Sequence, residues 1–209
     1  MKLIAALSFC CFFTSAHGQN TDWGKVKADL EKSDNPVAFV KTKLKKKYKI
    51  DTVVVTRLNR FMGLADSLAY HGKIRKVYGP FPGENILVQV MQKAPNTFYR
   101  ASQIFIDTHA IRRNVASNLA DTIIKRIKRG ETTFDDMARI YSMDGSGQVK
   151  GDMGWCARGT IIPSLENAIL KRKKGEIFKV WSPYGMHVVK ITENAKQDAG
   201  FALLLRVIL

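Results

Sequence analysis

The stretch GEIFKVWSPYGMHVVKITE, residues 175–193, decides the architecture. Residues 176–181 and 186–192 are rich in β-branched and aromatic side chains, and Ser182-Pro183-Tyr184-Gly185 between them supplies the residue types of a tight turn. That pattern predicts two antiparallel strands in a hairpin. Immediately upstream, Pro163-Ser164 opens a helical pattern through LENAILKRKK, which Gly175 ends. Before it lies a glycine-rich stretch, 142–160, containing GDMGWCARG at 151–159, with Trp155 expected to anchor a short strand in the core. Further back, Phe134, Met137, Ala138 and Tyr141 recur at helical spacing. Thr132 is the expected N-cap of that helix, with Asp135 completing a capping box. Val115, Leu119, Ile123 and Ile127 give an earlier helix its apolar stripe, and residues 101–106 read as a strand. Strand, helices, loop, helix and hairpin together predict an α+β unit built on an antiparallel four-stranded sheet.

The first half is expected to be mainly helical. Residues 23–50 read as a polar helix interrupted at Asp34-Asn35-Pro36, and 51–70 as a second helix with Val54, Leu58, Phe61, Leu64 and Leu68 on one face. A hairpin is expected over 76–91, across GPFPGE. Ala94-Pro95-Asn96 reads as a linker, which places a boundary near residue 97, and FALLLRVIL at the end reads as a strand docking on the N-terminal region. Residues 64–90 also resemble residues 165–191: helix, glycine, strand, proline-aromatic-glycine turn, strand. That similarity is either a degenerate half-copy of one supersecondary unit or two hairpins using similar turn residues.

MKLIAALSFCCFFTSAHGQN, the first twenty residues, carries one lysine, an apolar run from Leu3 to Phe13 and small residues at Ala16 and Gly18. This is the layout of a signal peptide, cut after Gly18, and the run is short of the roughly 20 residues a spanning helix needs. An exported, soluble, periplasmic or envelope-associated chain is expected. Phe9 and Cys10 match poorly the small residue that precedes a lipid-modified cysteine. Without the leader Cys156 stands alone, so an intramolecular disulfide is excluded and stability must come from a packed core. The net charge of +16 is clustered, as in Lys41, Lys43, Lys45, Lys46 and Lys47. Such clusters are solvated faces or contacts with anionic envelope surfaces. Nucleic acid is disfavoured, because the leader directs the chain away from it and stacking aromatics are not interleaved with the charges.

ASQIFID, FDDMARIYSMDGSG, GDMGWCARG, IIPSLENAI and the hairpin above, in this order and spacing, resemble the parvulin-type peptidyl-prolyl cis/trans isomerase domain, over about residues 98–193. The resemblance implies a proline pocket walled by Met153, Ile161 and Leu165, with Tyr184 beside it. It implies a polar surround of Asp144, His187 and Ser182, with Gln103 standing where active members carry a histidine. It implies isomerisation of X-Pro bonds in unfolded or nascent exported polypeptides, with no cofactor and no metal. Arg112 and Arg113 could favour phosphorylated substrates only by facing the site.

Each residue has a plainer reading beside this one. Met153, Ile161 and Leu165 are by type core residues, His187 could be a satisfied structural histidine, and Asp144 could shape a turn. Gln103 leaves two functions open: a working isomerase, or a weak or inactive parvulin fold that binds unfolded envelope proteins as a chaperone. A thiol enzyme built on Cys156 would lack both a CxxC partner and a nearby base.

Overall fold

A computed structural model describes residues 22–209, so the expected signal peptide lies outside the described residues. Two long strands pair along their whole length: β3 (Ile86–Asp107) runs antiparallel to β6 (Gly185–Ile208), from Ile86 opposite Ile208 to Asp107 opposite Gly185. Everything else is added to this ladder. At one end β4 (Asp152–Ala157) pairs with β3 and β5 (Ile177–Trp181) with β6. At the other end β1 (Tyr48–Val55) pairs with β6 and β2 (Val77–Tyr78) with β3. The chain is α+β with one antiparallel sheet.

Helices cover both faces at both ends. Near β4 and β5, α4 (Arg113–Lys128) and α5 (Phe134–Tyr141) lay Ile123, Phe134 and Met137 on Ile104 and Val188. On the opposite face, α6 (Pro163–Leu170) packs Leu165 and Ile169 on Ala101, Val189 and Ile191. At the far end, α1 (Trp23–Lys32) and α2 (Pro36–Phe39) put Leu30 and neighbouring apolar residues on Leu87, Leu205 and Val207. There α3 (Leu64–His71) covers Val88, Val90 and Leu204 with Leu68 and Ala69. Burying a leucine or isoleucine in such a cluster stabilises by about 2 kcal/mol.

The N-terminal region is less helical than its sequence suggests. Residues 48–55 form a strand, and α3 begins only at Leu64, with Leu58 and Phe61 in the intervening loop. The β-branched run Thr52-Val53-Val54-Val55 overrides the helical spacing, because those side chains suit a half-buried pleat. The expected breaks at 97 and after 193 are also absent: β3 and β6 run through both. Pro95 falls at a register shift between Ala94 and Asn96, where a bulge spares it a ladder hydrogen bond. Opposite it, Gly200 adopts φ +79°, and a Cβ there would lie 2.4 Å from the Ala94 carbonyl oxygen. Linker-like residues thus mark a bend in a continuous ladder.

Two smaller expectations shift. The cap of α5 is Thr133, one residue later than read: its hydroxyl accepts from Asp136 N at 3.1 Å and donates to the Asp136 carboxylate at 2.6 Å. Trp155 is half-buried, with the Lys196 ammonium 4.9 Å from its ring centroid, rather than sealed in the core.

Gly200 and Gly83 separate strain from collision, because Gly83 has φ +84° but nothing within 4 Å of its missing Cβ. Gly83→Ala should cost about 1 kcal/mol in urea unfolding, and Gly200→Ala about 3 kcal/mol or more. Equal losses would mean that the bulge tolerates a side chain.

Candidate active site

The site forms where the ladder receives β4 and β5. Residues of β3 alternate across the sheet, so Gln103 and Phe105 share a face, and Phe105 is directly opposite His187 of β6. Their rings lie 5.0 Å apart. The loop after α5 is pinned to the same strand: Phe105 N donates to Ser142 Oγ at 3.0 Å and Met143 N to Phe105 O at 2.8 Å. The segment before β4 is fastened one step along, where Gln103 N donates to Gly151 O at 2.8 Å. Gly151 has φ +81°, and a Cβ would lie 2.5 Å from the Gln103 carbonyl oxygen, so glycine is required for that approach.

Asp144 caps the short 3-10 turn Gly145–Val149. Its Oδ1 accepts from Ser142 Oγ at 2.8 Å, from Ser146 N at 3.1 Å and from Ser146 Oγ. Its Oδ2 faces Gln103 Nε2 at 3.0 Å. Gln103 Oε1 lies 3.1 Å from His187 Nδ1, and His187 Nε2 lies 2.8 Å from Ser182 Oγ.

One assignment of protons satisfies this chain. An ionised carboxylate only accepts, so the amide nitrogen of Gln103 must face Asp144 and its oxygen must face His187. Nδ1 of His187 therefore carries the proton, Nε2 is bare, and the Ser182 hydroxyl donates to it. Ser182 Oγ in turn accepts from the backbone N–H groups of Tyr184 at 3.2 Å and Gly185 at 3.3 Å. Every donor points toward Asp144, which lets successive bonds polarise one another. His187 is only 3% exposed, and burial holds its pKa below the usual 6.5 against the opposing pull of the Asp144 charge.

A cavity of about 550 Å³ opens on this chain. Asp144, Gln103 and His187 line it, as do Met153, Ile161, Leu165 and Tyr184. Ser182 lies behind His187, hydrogen-bonded to its Nε2. All eight residues singled out in the sequence meet in one place. Phe105, Thr160 and Ile162 also line the cavity and were not singled out. Phe105 carried a usable signal, since it lies two residues from Gln103 on a strand.

The far wall is held by a buried carboxylate. Glu166 Oε1 accepts from Tyr99 Oη at 2.9 Å and from Gly159 N at 2.7 Å, tying α6 and the loop before Ile161 to β3. Burial and then Glu166 push the Tyr99 phenol far above its usual range, so it remains a donor. Leu165 serves both core and cavity: it is buried in the cluster with Tyr99 and Val189, and also borders the opening. Cys156 stands apart from the polar chain. Burial raises its thiol pKa, and its Sγ contacts the carbonyls of Met153 and Gly154. The Arg113 guanidinium lies over the Trp181 ring, 4.1 Å from its centroid, and is thereby engaged in a cation–π contact.

Comparison with known proteins finds similarity over the segment that carries this site. The PPIC-type PPIASE domain model matches residues 86–195. Chaperone SurA of Bordetella avium is 37% identical over 100 residues, which cover 47% of this chain and 20% of that protein. Chaperone SurA of Chromobacterium violaceum is 34% identical over 102 residues, covering 48% of this chain and 24% of that protein. PrsA from Bacillus subtilis, a crystal structure, aligns at 33% identity over 46% of this chain and 35% of its own, with a TM-score of 0.39. The matched segment spans about a fifth to a quarter of the two SurA proteins. Because the domain match takes in more than half of the residues and includes the whole polar chain and cavity, this protein belongs to the PPIC-type peptidyl-prolyl isomerase domain family.

Proposed function

We propose that the chain is a peptidyl-prolyl cis/trans isomerase for unfolded exported polypeptides, working by non-covalent stabilisation of the twisted X-Pro imide. The observation that carries this is the unbroken donor chain from Ser182 through His187 and Gln103 to Asp144 at the edge of an apolar cavity. It favours a catalyst over a binding-only fold, because glutamine here joins histidine to carboxylate where an apolar replacement would interrupt the chain.

The chemistry follows from what rotation does to an amide. Planar X-Pro is stabilised by resonance that places negative charge on the carbonyl oxygen, and the barrier to rotation is about 18–20 kcal/mol. Twisting removes that resonance, so the twisted form is less charge-separated and its nitrogen gains a lone pair. Met153, Ile161, Leu165 and Phe105 would grip the ring and strip water from the imide, which disfavours the polar planar form. The Asp144 carboxylate, fixed by Ser142, Ser146 and Gln103, adds a negative potential that disfavours the planar oxygen further. Preference for the twisted state over both planar states is what lowers the barrier.

Export and clients are part of the same proposal. The leader-like first residues support delivery beyond the inner membrane, and the basic clusters support contact with anionic envelope surfaces or acidic clients. Among the described residues no helix is long and apolar enough to cross a membrane.

Exchange measured by NMR on a short X-Pro peptide tests the site. Asp144→Ala and Gln103→Leu should each lower kcat/KM by roughly 10- to 100-fold, the scale of one charged hydrogen bond. Unchanged exchange in both variants would remove Asp144 and Gln103 from the catalytic reading.

The pH dependence has a defined sign. Folded His187 binds a proton less readily than the unfolded residue, so its contribution to stability is complete above pH 6.5. That contribution is lost as pH falls from 6.5 through the lower folded value, where the unfolded chain takes the proton first. The urea midpoint and the exchange rate should therefore both fall on acidification below 6.5. A midpoint that rises over that window would show His187 to be protonated in the fold.

A further inference from the structure

β1 (Tyr48–Val55) is an open edge of the sheet. The strand order is β1-β6-β3-β2, and among the described residues β6 is the strand that β1 pairs with. Ile208 N donates to Lys47 O at 2.9 Å, and the register continues from Tyr48 opposite Val207, so the odd-numbered residues of β1 direct their main-chain groups at β6. Tyr48, Ile50, Thr52 and Val54 therefore direct theirs away from the sheet. Among the described residues these outward N–H and C=O groups have no main-chain partner. Natural edges are blunted by a proline, a bulge or a covering element. β1 instead runs for eight residues in unbroken register and contains neither proline nor glycine.

The side chains of the same four residues share the face on which α1 and α2 pack, and those helices stop short of the edge. Leu205 is fully buried, whereas Ile50 opposite it is 44% exposed; Val54, opposite half-buried Phe201, is 45% exposed. A strand added here would set its own side chains against Ile50 and Val54 as cross-strand pairs. Charge marks one end of the edge. Lys49 lies 3.7 Å from Asp51, but Lys45, Lys46 and Lys47, just before the strand, are exposed and without an ion-pair partner among the described residues.

We propose that the β1 edge binds an extended segment of an unfolded polypeptide as an added antiparallel strand, one that alternates β-branched with polar residues and carries carboxylates toward its C-terminal end. Strand addition supplies the missing main-chain partners. Antiparallel pairing continues the pattern of the whole sheet, and it lays the C-terminal end of the segment beside Lys45, Lys46 and Lys47. A second copy of the chain fits less well. Two copies joined about Thr52 would set Ile50 against Val54 but also Lys47 against Arg57 at both ends, and like charges directly opposed are destabilising. A lipid surface would leave the open edge unsatisfied. The inference deepens the proposed client reading and rests on it for the clients being unfolded, but its readout is separate from X-Pro exchange.

The test is amide hydrogen exchange of the full chain, read by NMR, with and without a proline-free peptide of alternating valine and threonine that ends in two glutamates. At saturating peptide the amides of Ile50, Thr52 and Val54 should exchange about tenfold more slowly, while those of Asp51 and Val53, already turned to β6, change little. Thr52→Pro removes an outward donor, which an edge strand tolerates, and should abolish this protection with X-Pro exchange intact. Lys46→Glu combined with Lys47→Glu should weaken peptide binding about fivefold or more at low salt. Edge amides left unprotected at millimolar peptide would overturn the inference. So would protection that rises with protein concentration alone, which assigns the edge to a second copy, or protection by anionic vesicles in place of peptide, which assigns it to a membrane. Edge protection without X-Pro exchange would sink the isomerase reading and sustain this one; exchange without edge protection would do the reverse.

Discussion

The pairing of β3 with β6 is the constraint on which the other elements depend. One strand enters the ladder at Ile86 and leaves at Asp107, the other enters at Gly185 and leaves at Ile208, and all four remaining strands attach to these two. Register along the ladder fixes which side chains share a face, since a slip of one residue would move every side chain to the opposite side. Phe105 opposite His187, with Gln103 two residues away, is a consequence of that register. So is the covering of both faces at both ends, because each end exposes an apolar surface that a helix must bury.

From that register the site follows by donor and acceptor bookkeeping. Asp144 can only accept, and that one fact orients the Gln103 amide, sets the His187 tautomer and directs the Ser182 hydroxyl. Gln103, set by the resemblance where active members carry a histidine, donates on one side and accepts on the other. A glutamine does this without titrating, so among Ser182, His187 and Gln103 the imidazole is the group that takes up a proton, and burial moves that step below the usual 6.5.

Much of this was legible in the chain's own residues. The 175–193 hairpin and the helices over Arg113–Lys128 and Phe134–Tyr141 follow from periodicity and turn chemistry, whereas the grouping of Met153, Ile161 and Leu165 was implied by the resemblance to parvulin domains. What misled was the centre of the ladder. Pro95 and Gly200 are signals of interruption in any local reading, and only the long-range pairing of residues about a hundred positions apart turns them into a bulge. The strand at Tyr48–Val55 was hidden similarly, because its partner lies at the far end of the chain.

The central claim is that Gln103 relays a defined polarity from His187 to Asp144. The most direct measurement is the ¹⁵N shifts and one-bond couplings of the His187 imidazole at neutral pH. The account predicts a neutral ring protonated at Nδ1, with Nε2 carrying the shift of a hydrogen-bond acceptor. A ring protonated at Nε2, or an imidazolium, would contradict it, because Gln103 would then have no donor to accept from in the first case and the buried ring would carry a charge in the second.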